Sequence, residues 1–390
     1  MSSIMRAPAH VAAPPREARR LLTGVFAVLG VVMAAWGARM PAVQATADLG
    51  PGRLAIVLLA AAAGMVAGLQ IGGRLADRYG PARLLIAPTV VFGCSLALLG
   101  QCRTLTTLAA AALVFGLAHG LLDVGANVSA VAVQQAFGRP IMSGLHAAYS
   151  LGALAGAGLT AVTTWLPHGT LFAIVGLAAA IVAVSAAPAA RTVARLNHTQ
   201  RQNEDSRDVA VPSASGAMWL LAALAAACLL AEGAAADWAA VHLRGLGAAE
   251  STAAAAYAVY SAAMAAGRLF GDRLTARYGA ATVVRTSAVL AAAGLGAGLA
   301  AGSAAAALLG WMTLGLGLST TVPSLITAAG RGGPRAVGTV AATGYVGLLA
   351  GPAVIGALAS LTNLTTALAL PALLAVVVAA TAHRALKETR

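Results

Sequence analysis

Long apolar runs separated by short polar segments dominate this chain of 390 residues. Each run has about 20 residues, the length at which an α-helix crosses the hydrocarbon core of a bilayer. Six runs precede a polar stretch and six follow it, which predicts twelve membrane-spanning helices. The predicted spans are 21–43, 53–73, 84–101, 105–131, 142–165, 168–187, 216–243, 249–270, 282–301, 303–327, 336–361 and 363–383. Very short separations between some runs leave an odd total open.

The polar stretch at 188–215 predicts a cytoplasmic linker between two six-helix halves, 21–187 and 216–383. Short tails at 1–20 and 384–390 are predicted to be cytoplasmic as well. The first tail is polar and basic and lacks an apolar core, so we expect no cleavable signal peptide. The first apolar run is therefore interpreted as a spanning helix.

The composition agrees with a membrane protein. Only 9% of residues are charged, 59% are hydrophobic and the mean hydropathy is +0.84. A soluble domain carries about 25% charged residues, and a disordered chain needs low hydrophobicity and high charge. The net charge of +13 is compatible with a nucleic-acid partner, an anionic membrane surface or the topology of a membrane protein.

The distribution of basic residues favours topology as the explanation. With the amino terminus placed inside, only Arg39, Arg53, Arg103 and Arg244 of the 25 basic residues fall in outer segments. The positive-inside rule then predicts that both termini face the cytoplasm of a bacterial inner membrane. No nucleic-acid partner is needed to explain the charge. We expect the partners to be the lipid bilayer and a small-molecule substrate, and the protein to be a monomer.

An internal repeat relates the two halves. Gly73-Arg74-Leu75 recurs 194 residues later as Gly267-Arg268-Leu269. The same offset pairs Gly116 with Gly310 and Gly144 with Gly338. This repeat predicts two halves in the same orientation, related by an axis along the membrane normal.

The sequence GRLADRYG at 73–80 resembles the signature motif G-x-L-A-D-R-x-G-R-K of the major facilitator superfamily, departing from it at Pro81 and Ala82. The second half holds a looser copy. The resemblance covers nearly the whole chain and implies an all-α integral membrane protein with the major facilitator fold: twelve helices in two pseudo-symmetric halves. In that superfamily the motif loop controls a conformational switch. The corresponding residues are Gly73, Asp77, Arg78, Gly80, Asp272 and Arg273.

The two motif carboxylates are predicted to join the halves. A carboxylate at a helix end can meet the positive amino terminus of a neighbouring helix. We expect Asp77 to face the start of span eleven at 336–338, and Asp272 to face the start of span five at 142–144. The alternative is a solvated loop that carries ordinary helix-end charges.

Span four contains a stripe of polar residues inside an apolar run. His119, Asp123 and Asn127 recur every fourth residue and therefore share one helical face. An ionisable group inside a span costs about 2.5 kcal/mol or more and is a functional hypothesis by default. A carboxyl group held away from water can exchange a proton near neutral pH. The alternative is a structural hydrogen bond or ion pair in the bundle. At the offset of 194, Asp123 corresponds to Gly317, so only one half carries the acid.

Span four, together with GRPIMSGLHAAYSLG at 138–152, is similar to the fucose-permease-like branch of the superfamily. There the span-four acid takes part in proton coupling, a role that the resemblance transfers to Asp123. Span seven, LLAEGAAADWAAVHLR, resembles that branch too, and Glu232 is a second candidate for protonation or substrate binding. Asp237 is expected either to pair with Arg39 or to bind substrate.

Aromatic and polar side chains near the middle of several spans are candidates for the wall of a central cavity. Such groups suit sugar-like or other small polar organic ligands, whereas the alternative for each aromatic is helix packing or interfacial anchoring. The candidate substrate-binding residues are Trp36, Arg39, His119, Asn127, His146, Tyr149, Asp237, Trp238, Tyr257, Tyr260 and Trp311.

The predicted function is secondary active transport of a small polar organic solute, such as a sugar, by alternating access and coupled to protons. No cofactor is expected, since the proton gradient supplies the energy and the chain has no P-loop for direct use of ATP. A proton-linked drug or metabolite exporter of the same fold is the alternative. The seven histidines are dispersed, which argues against a membrane enzyme, and a receptor or scaffold has no need for Asp123 and Glu232.

Overall fold

A computed structural model describes residues 15–205 and 215–386, and this part of the chain is helical throughout, without a strand. The predicted tails at 1–14 and 387–390, and the linker residues 206–214, lie outside the described residues. The helices are α1 (Pro15–Ala38), α2 (Met40–Thr46), α3 (Pro51–Tyr79), α4 (Arg83–Leu99), α5 (Leu105–Phe137), α6 (Met142–Val162), α7 (His168–Ser185), α8 (Ala187–Asp205), α9 (Ser215–Gly245), α10 (Glu250–Tyr278), α11 (Ala280–Ala300), α12 (Ala304–Leu318), α13 (Thr321–Ala329), α14 (Gly333–Leu361), α15 (Leu364–Ala367) and α16 (Ala369–Ala385).

The twelve predicted spans are confirmed as helices. Nine are single helices, whereas span one is divided between α1 and α2, span ten is the pair α12 and α13, and span twelve is the pair α15 and α16. Nine stretches in the described residues are long and apolar enough to cross a membrane, and one of them, 304–361, contains two predicted spans. The two remaining spans are α4, which has 17 residues, and the less apolar α10.

The predicted linker is partly helical. Its helix α8 packs against α1, α4 and α5 of the first half. Thr192 on α8 lies 3.4 Å from a carboxylate oxygen of Glu17 on α1. At least this portion of the linker is therefore held against one half.

Glycine ends the two helices that carry the charged motif. α3 continues to Tyr79 and α10 to Tyr278, and the following Gly80 and Gly279 have φ angles of 89° and 79°. A side chain makes this backbone region costly, so glycine stops both helices at a defined point. The motif at 73–80 is consequently not the loop that the sequence predicted, because its residues complete the last two turns of α3.

Small residues allow close packing within each half. Gly116 on α5 lies directly against the backbone of Ala61 on α3, and a Cβ atom at this position would overlap the Ala61 carbonyl oxygen. Gly315 on α12 faces the backbone of Tyr260 on α10 in the same way. Close backbone approach supplies the dispersion contacts that replace the hydrophobic effect in lipid.

These contacts correct the register of the repeat. α3 spans 51–79 and α10 spans 250–278, so both ends are 199 residues apart. The pairs Gly116 with Ala61 and Gly315 with Tyr260 are separated by the same 199 residues. The prediction that Gly310 is the repeat equivalent of Gly116 was therefore wrong for this part of the fold.

The predicted offset of 194 holds only at the start of α6 and α14, where Gly144 and Gly338 make equivalent contacts between the halves. The second half is shorter by five residues between its fourth and fifth spans, and this deletion changes the register. Asp123 then corresponds to Val322 rather than Gly317. The acid is still confined to one half.

Span ten is interrupted where span four is continuous. α12 ends at Leu318 and α13 begins at Thr321. Pro323 has no N–H group to donate to the carbonyl of Ser319, which removes one helical hydrogen bond at the break. The hydroxyl residues at this break, Ser319, Thr320 and Thr321, are at most 2% exposed.

The two halves pack together through α3 against α14 and α10 against α6. We call the end of the bundle at which α3 and α10 terminate, near Gly80 and Gly279, the motif end. The other end is called the opposite end. This arrangement places α5 of the first half and α9 and α10 of the second half around the middle of the molecule.

Candidate functional site

The polar stripe of span four is buried in the middle of α5. Asp123 is 8% exposed and Asn127 is 2% exposed. The Asn127 side-chain nitrogen donates to the backbone carbonyl of Asp123 at 2.9 Å, and Asn127 also acts on the Asp123 carboxyl group. His119, one turn away, stacks on Phe92 with ring centroids 5.3 Å apart. The packing of α5 against α3 and α4 explains why only this face holds polar groups.

Arg268 is a buried cation that the sequence placed in an inner polar segment. It lies ten residues before the end of α10, about 15 Å from that end at 1.5 Å per residue. Its exposed fraction is 7%. Nη1 donates to the Ser150 hydroxyl on α6 at 2.7 Å, so the bond joins the two halves. The prediction was wrong because α10 extends well beyond the expected limit at residue 270.

Charged and phenolic groups from both halves converge around Arg268. Its charge interacts with Glu232, a partly buried residue on α9. Tyr149 on α6 lies within electrostatic range of Asp123, Glu232 and Arg268. Tyr345 on α14 lies within range of the same three charges. We call Asp123, Tyr149, Glu232, Tyr257, Arg268 and Tyr345 the central cluster.

The two tyrosines predicted on span eight have different surroundings. Their rings stack with centroids 5.9 Å apart and an interplanar angle of 17°. Tyr257 is 40% exposed, whereas Tyr260 is 1% exposed and packs against the α12 backbone at Gly315. Both rings lie within electrostatic range of Glu232. Tyr257 can therefore meet a ligand, and Tyr260 supports it from behind.

Two histidines border the central cluster. His119 meets Tyr345 edge-on with centroids 6.3 Å apart, and this contact crosses between the halves. His146 packs against Phe26 at 5.2 Å and lies within range of the Arg268 charge. Nε2 of each ring is buried without a hydrogen-bond partner among the described residues. Each ring thus keeps one polar atom for a ligand or for water.

The structure places two predicted tryptophans in the packing core of a half. Trp36 is 4% exposed and lies between Phe115 and Phe172, at centroid distances of 5.6 and 6.0 Å. Trp311 is fully buried and meets His242 edge-on at 6.3 Å. Neither residue joins the central cluster, because other aromatic side chains cover both rings.

The predicted pair of Arg39 and Asp237 does not form in this structure. Both Arg39 terminal nitrogens donate to backbone carbonyls at the end of α6, those of Thr163 and Thr164. Asp237 is exposed on α9. The neighbouring Trp238 donates from its ring nitrogen to the carbonyl of Pro352 at 3.0 Å, which fastens α9 to α14. Arg39 and Trp238 lie away from the central cluster, whereas Asp237 is within electrostatic range of Tyr257.

The motif end is closed by contacts between the halves. The Asp272 carboxylate accepts hydrogen bonds from the backbone N–H groups of Ser143 at 2.9 Å and Gly144 at 2.8 Å, at the start of α6. Asp77 pairs with Arg335 at 2.9 Å, at the start of α14. Both predicted neighbourhoods are thus occupied, and the Asp77 contact includes an ion pair with a side chain, that of Arg335.

The remaining motif residues have distinct roles in this contact. Gly73 lies against α14, where an added Cβ would be 3.1 Å from the Pro334 carbonyl oxygen. Gly80 ends α3. Arg78 is exposed and lies over the Tyr79 ring, 5.1 Å from its centroid, and Arg273 is also exposed. Glycine at position 73 thus lets α3 and α14 touch.

Hydrogen bonds and ion pairs between the halves, among the described residues, lie at the central cluster or at the motif end. These contacts separate the central cluster from the motif end.

Arg268, Ser150 and Tyr345 are site residues that the sequence reasoning missed. A signal for Arg268 was present, since Tyr260, Met264 and Arg268 recur every fourth residue and share a helical face. No comparable signal marks Ser150, because a serine in a glycine-rich span is common in close helix packing.

Comparisons with known proteins give one consistent family. Residues 23–332 match the family described as the Major Facilitator Superfamily. An uncharacterized MFS-type transporter of Yersinia pestis is 34% identical over 363 residues, covering 92% of this chain and 93% of the relative. The structure of the Escherichia coli fucose:proton symporter FucP aligns with a TM-score of 0.72 at 16% identity, covering 95% of this chain and 98% of that one. The proton:xylose symporter XylE aligns with a TM-score of 0.76 at 12% identity, covering 96% of both chains.

Proposed function

The chain belongs to the Major Facilitator Superfamily and is a multi-pass membrane transporter rather than an enzyme, and we propose that it moves a small polar organic solute together with protons. The observation that carries this proposal is the central cluster. Two acids, one from each half, and one buried cation lie within electrostatic range of Tyr149 at the interface of the halves. Burying charges at this depth costs free energy, so we interpret these charges as groups that serve transport.

Asp123 is the side chain that we assign to proton exchange. Its carboxyl group is buried, and the side chain that acts on it is Asn127 rather than a cation. A carboxylate without a positive neighbour is neutralised more readily by a proton than one that has such a neighbour. Glu232 has Arg268 as its neighbour and is assigned to a charge-balancing or ligand-binding role.

The substrate class follows from the walls of the site. Tyr149, Tyr257 and Tyr345 offer phenolic hydroxyl groups and ring faces, and the Ser150 hydroxyl lies beside them at the Arg268 guanidinium. Such a mixture suits a polyhydroxylated ligand, which needs several hydrogen bonds and a flat apolar surface. The titles of the two structural relatives name fucose and xylose as solutes of those proteins. A sugar-like solute is accordingly the first class to test.

The orientation is proposed from charge. Most basic residues lie in segments at the motif end, which the positive-inside rule assigns to the cytoplasm. Both termini would then be cytoplasmic in a bacterial inner membrane. In that orientation the bonds of Asp272 and Asp77 form the closed inner gate, and we expect solute to reach the central cluster from the outside. Rupture of these bonds would accompany inward opening.

The direct test is solute uptake into proteoliposomes with an imposed pH gradient, after a thermal-shift screen of sugars, organic acids and drugs. We expect acid outside to drive accumulation by the wild type. Asp123→Asn should abolish gradient-driven accumulation and retain counterflow, since exchange of bound solute does not require a net proton movement. Full retention of the proton dependence in Asp123→Asn would refute the assignment.

The direction of flux is read in the same experiment. Accumulation with acid outside supports uptake, whereas expulsion of preloaded solute by that gradient supports an exporter. Wild-type protein that binds a solute and yet transports none under either gradient would contradict a carrier function.

A further inference from the structure

A cavity of about 460 Å³ lies at the opposite end of the first half, away from the central cluster. It is formed where α1 gives way to α2, where α4 ends, and where α6 is followed by α7. The polar and aromatic residues that line it include Arg39, Gln101, Arg103, Thr164, Trp165 and His168. None of these residues was predicted to act together, and the proposed transport mechanism uses none of them.

The cavity carries uncompensated positive charge. Arg39 and Arg103 both line it, and none of its described lining residues is acidic. Arg103 donates to the backbone carbonyls of Gly100 at 2.8 Å and Cys102 at 2.9 Å. Carbonyl groups satisfy hydrogen bonds without neutralising a charge. Two of the four arginines assigned to the outer side thus meet in one place, where the positive-inside rule favours few.

Two residues that line this space also hold buried nitrogen atoms without a hydrogen-bond partner among the described residues. His168 is 7% exposed, and its buried Nε2 has no partner among the described residues. The Arg39 Nε is likewise buried and without a partner. α7 begins at the cavity without a side-chain cap, and its first-turn residues Gly169 and Thr170 line the space. The open N–H groups of a helix amino terminus attract anions.

We propose that this cavity binds an anionic phosphate group, supplied by an acidic lipid or by free phosphate. Guanidinium groups match the geometry of phosphate oxygens and can bind two of them at once. Trp165 lines the cavity and is 77% exposed, as is typical of a tryptophan at the boundary between lipid and water. An acidic headgroup in the adjacent leaflet can therefore reach the arginines directly. The site is separate from the transport cluster.

The experiment measures binding to purified, delipidated protein. Phosphatidylglycerol, phosphatidylcholine and inorganic phosphate are titrated separately, with the melting temperature as the readout. We expect phosphatidylglycerol or phosphate to stabilise the wild type, and phosphatidylcholine to have little effect. Arg103→Gln and Arg39→Gln should each raise the titration midpoint about tenfold, the loss expected for one charge-assisted contact. Arg53→Gln is the matched control, because Arg53 is exposed at the same end and does not line the cavity.

The outcomes distinguish an acidic lipid from free phosphate as the source of the bound phosphate group. Stabilisation by phosphatidylglycerol alone identifies a lipid site, and stabilisation by inorganic phosphate as well identifies a site for the free anion. Equal effects of phosphatidylglycerol and phosphatidylcholine, with no response to phosphate, would overturn the proposal. So would unchanged midpoints in both arginine variants.

A second readout uses Arg103→Gln instead of Arg39→Gln. Arg39 fastens the end of α1 to α6, so its replacement can also impair folding. Phosphatidylglycerol with brominated acyl chains should quench Trp165 fluorescence in the wild type. Quenching should be weaker in Arg103→Gln, and Trp165→Phe shows how much of the signal comes from this residue. Equal quenching in the wild type and Arg103→Gln would contradict the proposal for the lipid.

Discussion

Arg74 and Arg268 occupy matching places in the repeated Gly-Arg-Leu sequence but lie in different surroundings. Arg74 is exposed at the motif end, whereas Arg268 is 7% exposed in the middle of the bundle. The structural register of 199 residues aligns Arg268 with Leu69, a fully buried apolar residue. A cation in the second half thus takes the place of a core leucine in the first half, and this difference creates the asymmetric charge of the central cluster.

Replacement of Arg268 should impair both stability and transport. Arg268→Gln removes the charge near Glu232 and the bond to Ser150, and we expect a loss of about 2 kcal/mol of stability. Transport should fall at least tenfold, whereas Arg74→Gln, the exposed counterpart, should transport like the wild type. Thermal melting and solute counterflow measure the two effects. Equal transport by Arg268→Gln and Arg74→Gln would contradict a role for Arg268 in the site.

The glycine contacts between helices determine whether each half can assemble. Gly116→Val should prevent the close approach of α5 to α3, because its side chain would overlap the Ala61 backbone. We expect little or no monodisperse protein after size-exclusion chromatography. Gly24→Val on α1 is the control, since no heavy atom lies within 4 Å of an added Cβ there. A normal yield of Gly116→Val would show that these helices can separate without loss of the fold.

The two gate carboxylates should differ in strength because their surroundings differ. Asp272 is partly buried and binds two backbone N–H groups at a helix amino terminus, whereas the Asp77–Arg335 pair is exposed. Exposed ion pairs contribute about 0–1 kcal/mol, and charge-assisted hydrogen bonds to partly buried groups contribute about twice as much as neutral ones. The closed motif end therefore depends more on α10 and α6 than on α3 and α14.

Asp272→Asn should accordingly favour opening of the motif end more than Asp77→Asn does. We expect a shift of about tenfold in the ratio of open to closed molecules for Asp272→Asn, and about threefold or less for Asp77→Asn. Distances between spin labels placed across α6 and α10 report the two populations. A larger shift in Asp77→Asn would mean that the exposed pair dominates the gate.

At the scale of the whole molecule, the contacts between the halves correspond to one state of the proposed alternating-access cycle. In this state the motif end is closed by the contacts of Asp272 and Asp77. Three of the four helices that close the motif end, α6, α10 and α14, also contribute residues to the central cluster. Rocking of one half against the other would therefore change the cluster and the gate together.

Cysteine labelling tests this state and the orientation of the protein. In a background without Cys94, Cys102 and Cys228, Tyr257→Cys should react with a membrane-impermeant maleimide added outside cells. Ser143→Cys, at a position that is 4% exposed at the closed motif end, should react slowly from either side. Fast labelling of Ser143→Cys with protection of Tyr257→Cys would show that the resting protein opens at the motif end.

The sequence alone determined the elements and the family. Apolar runs of membrane length predict twelve spans, and the motif with Asp77 predicts the superfamily, because both features depend on residues that are close together in the chain. The polar stripe of α5 was also predictable, since helical periodicity places His119, Asp123 and Asn127 on one face. Such local rules need no knowledge of neighbouring helices.

Tertiary structure alone decided which side chains meet. It placed Arg268 in the site, because the packing of α10 against α6 brings this side chain to Ser150 of the other half. It moved Trp36 and Trp311 into packing cores and separated Arg39 from Asp237. Positions that face lipid and positions that face another helix are equally hydrophobic, since a membrane span is apolar on nearly every side. The sequence alone therefore does not distinguish them.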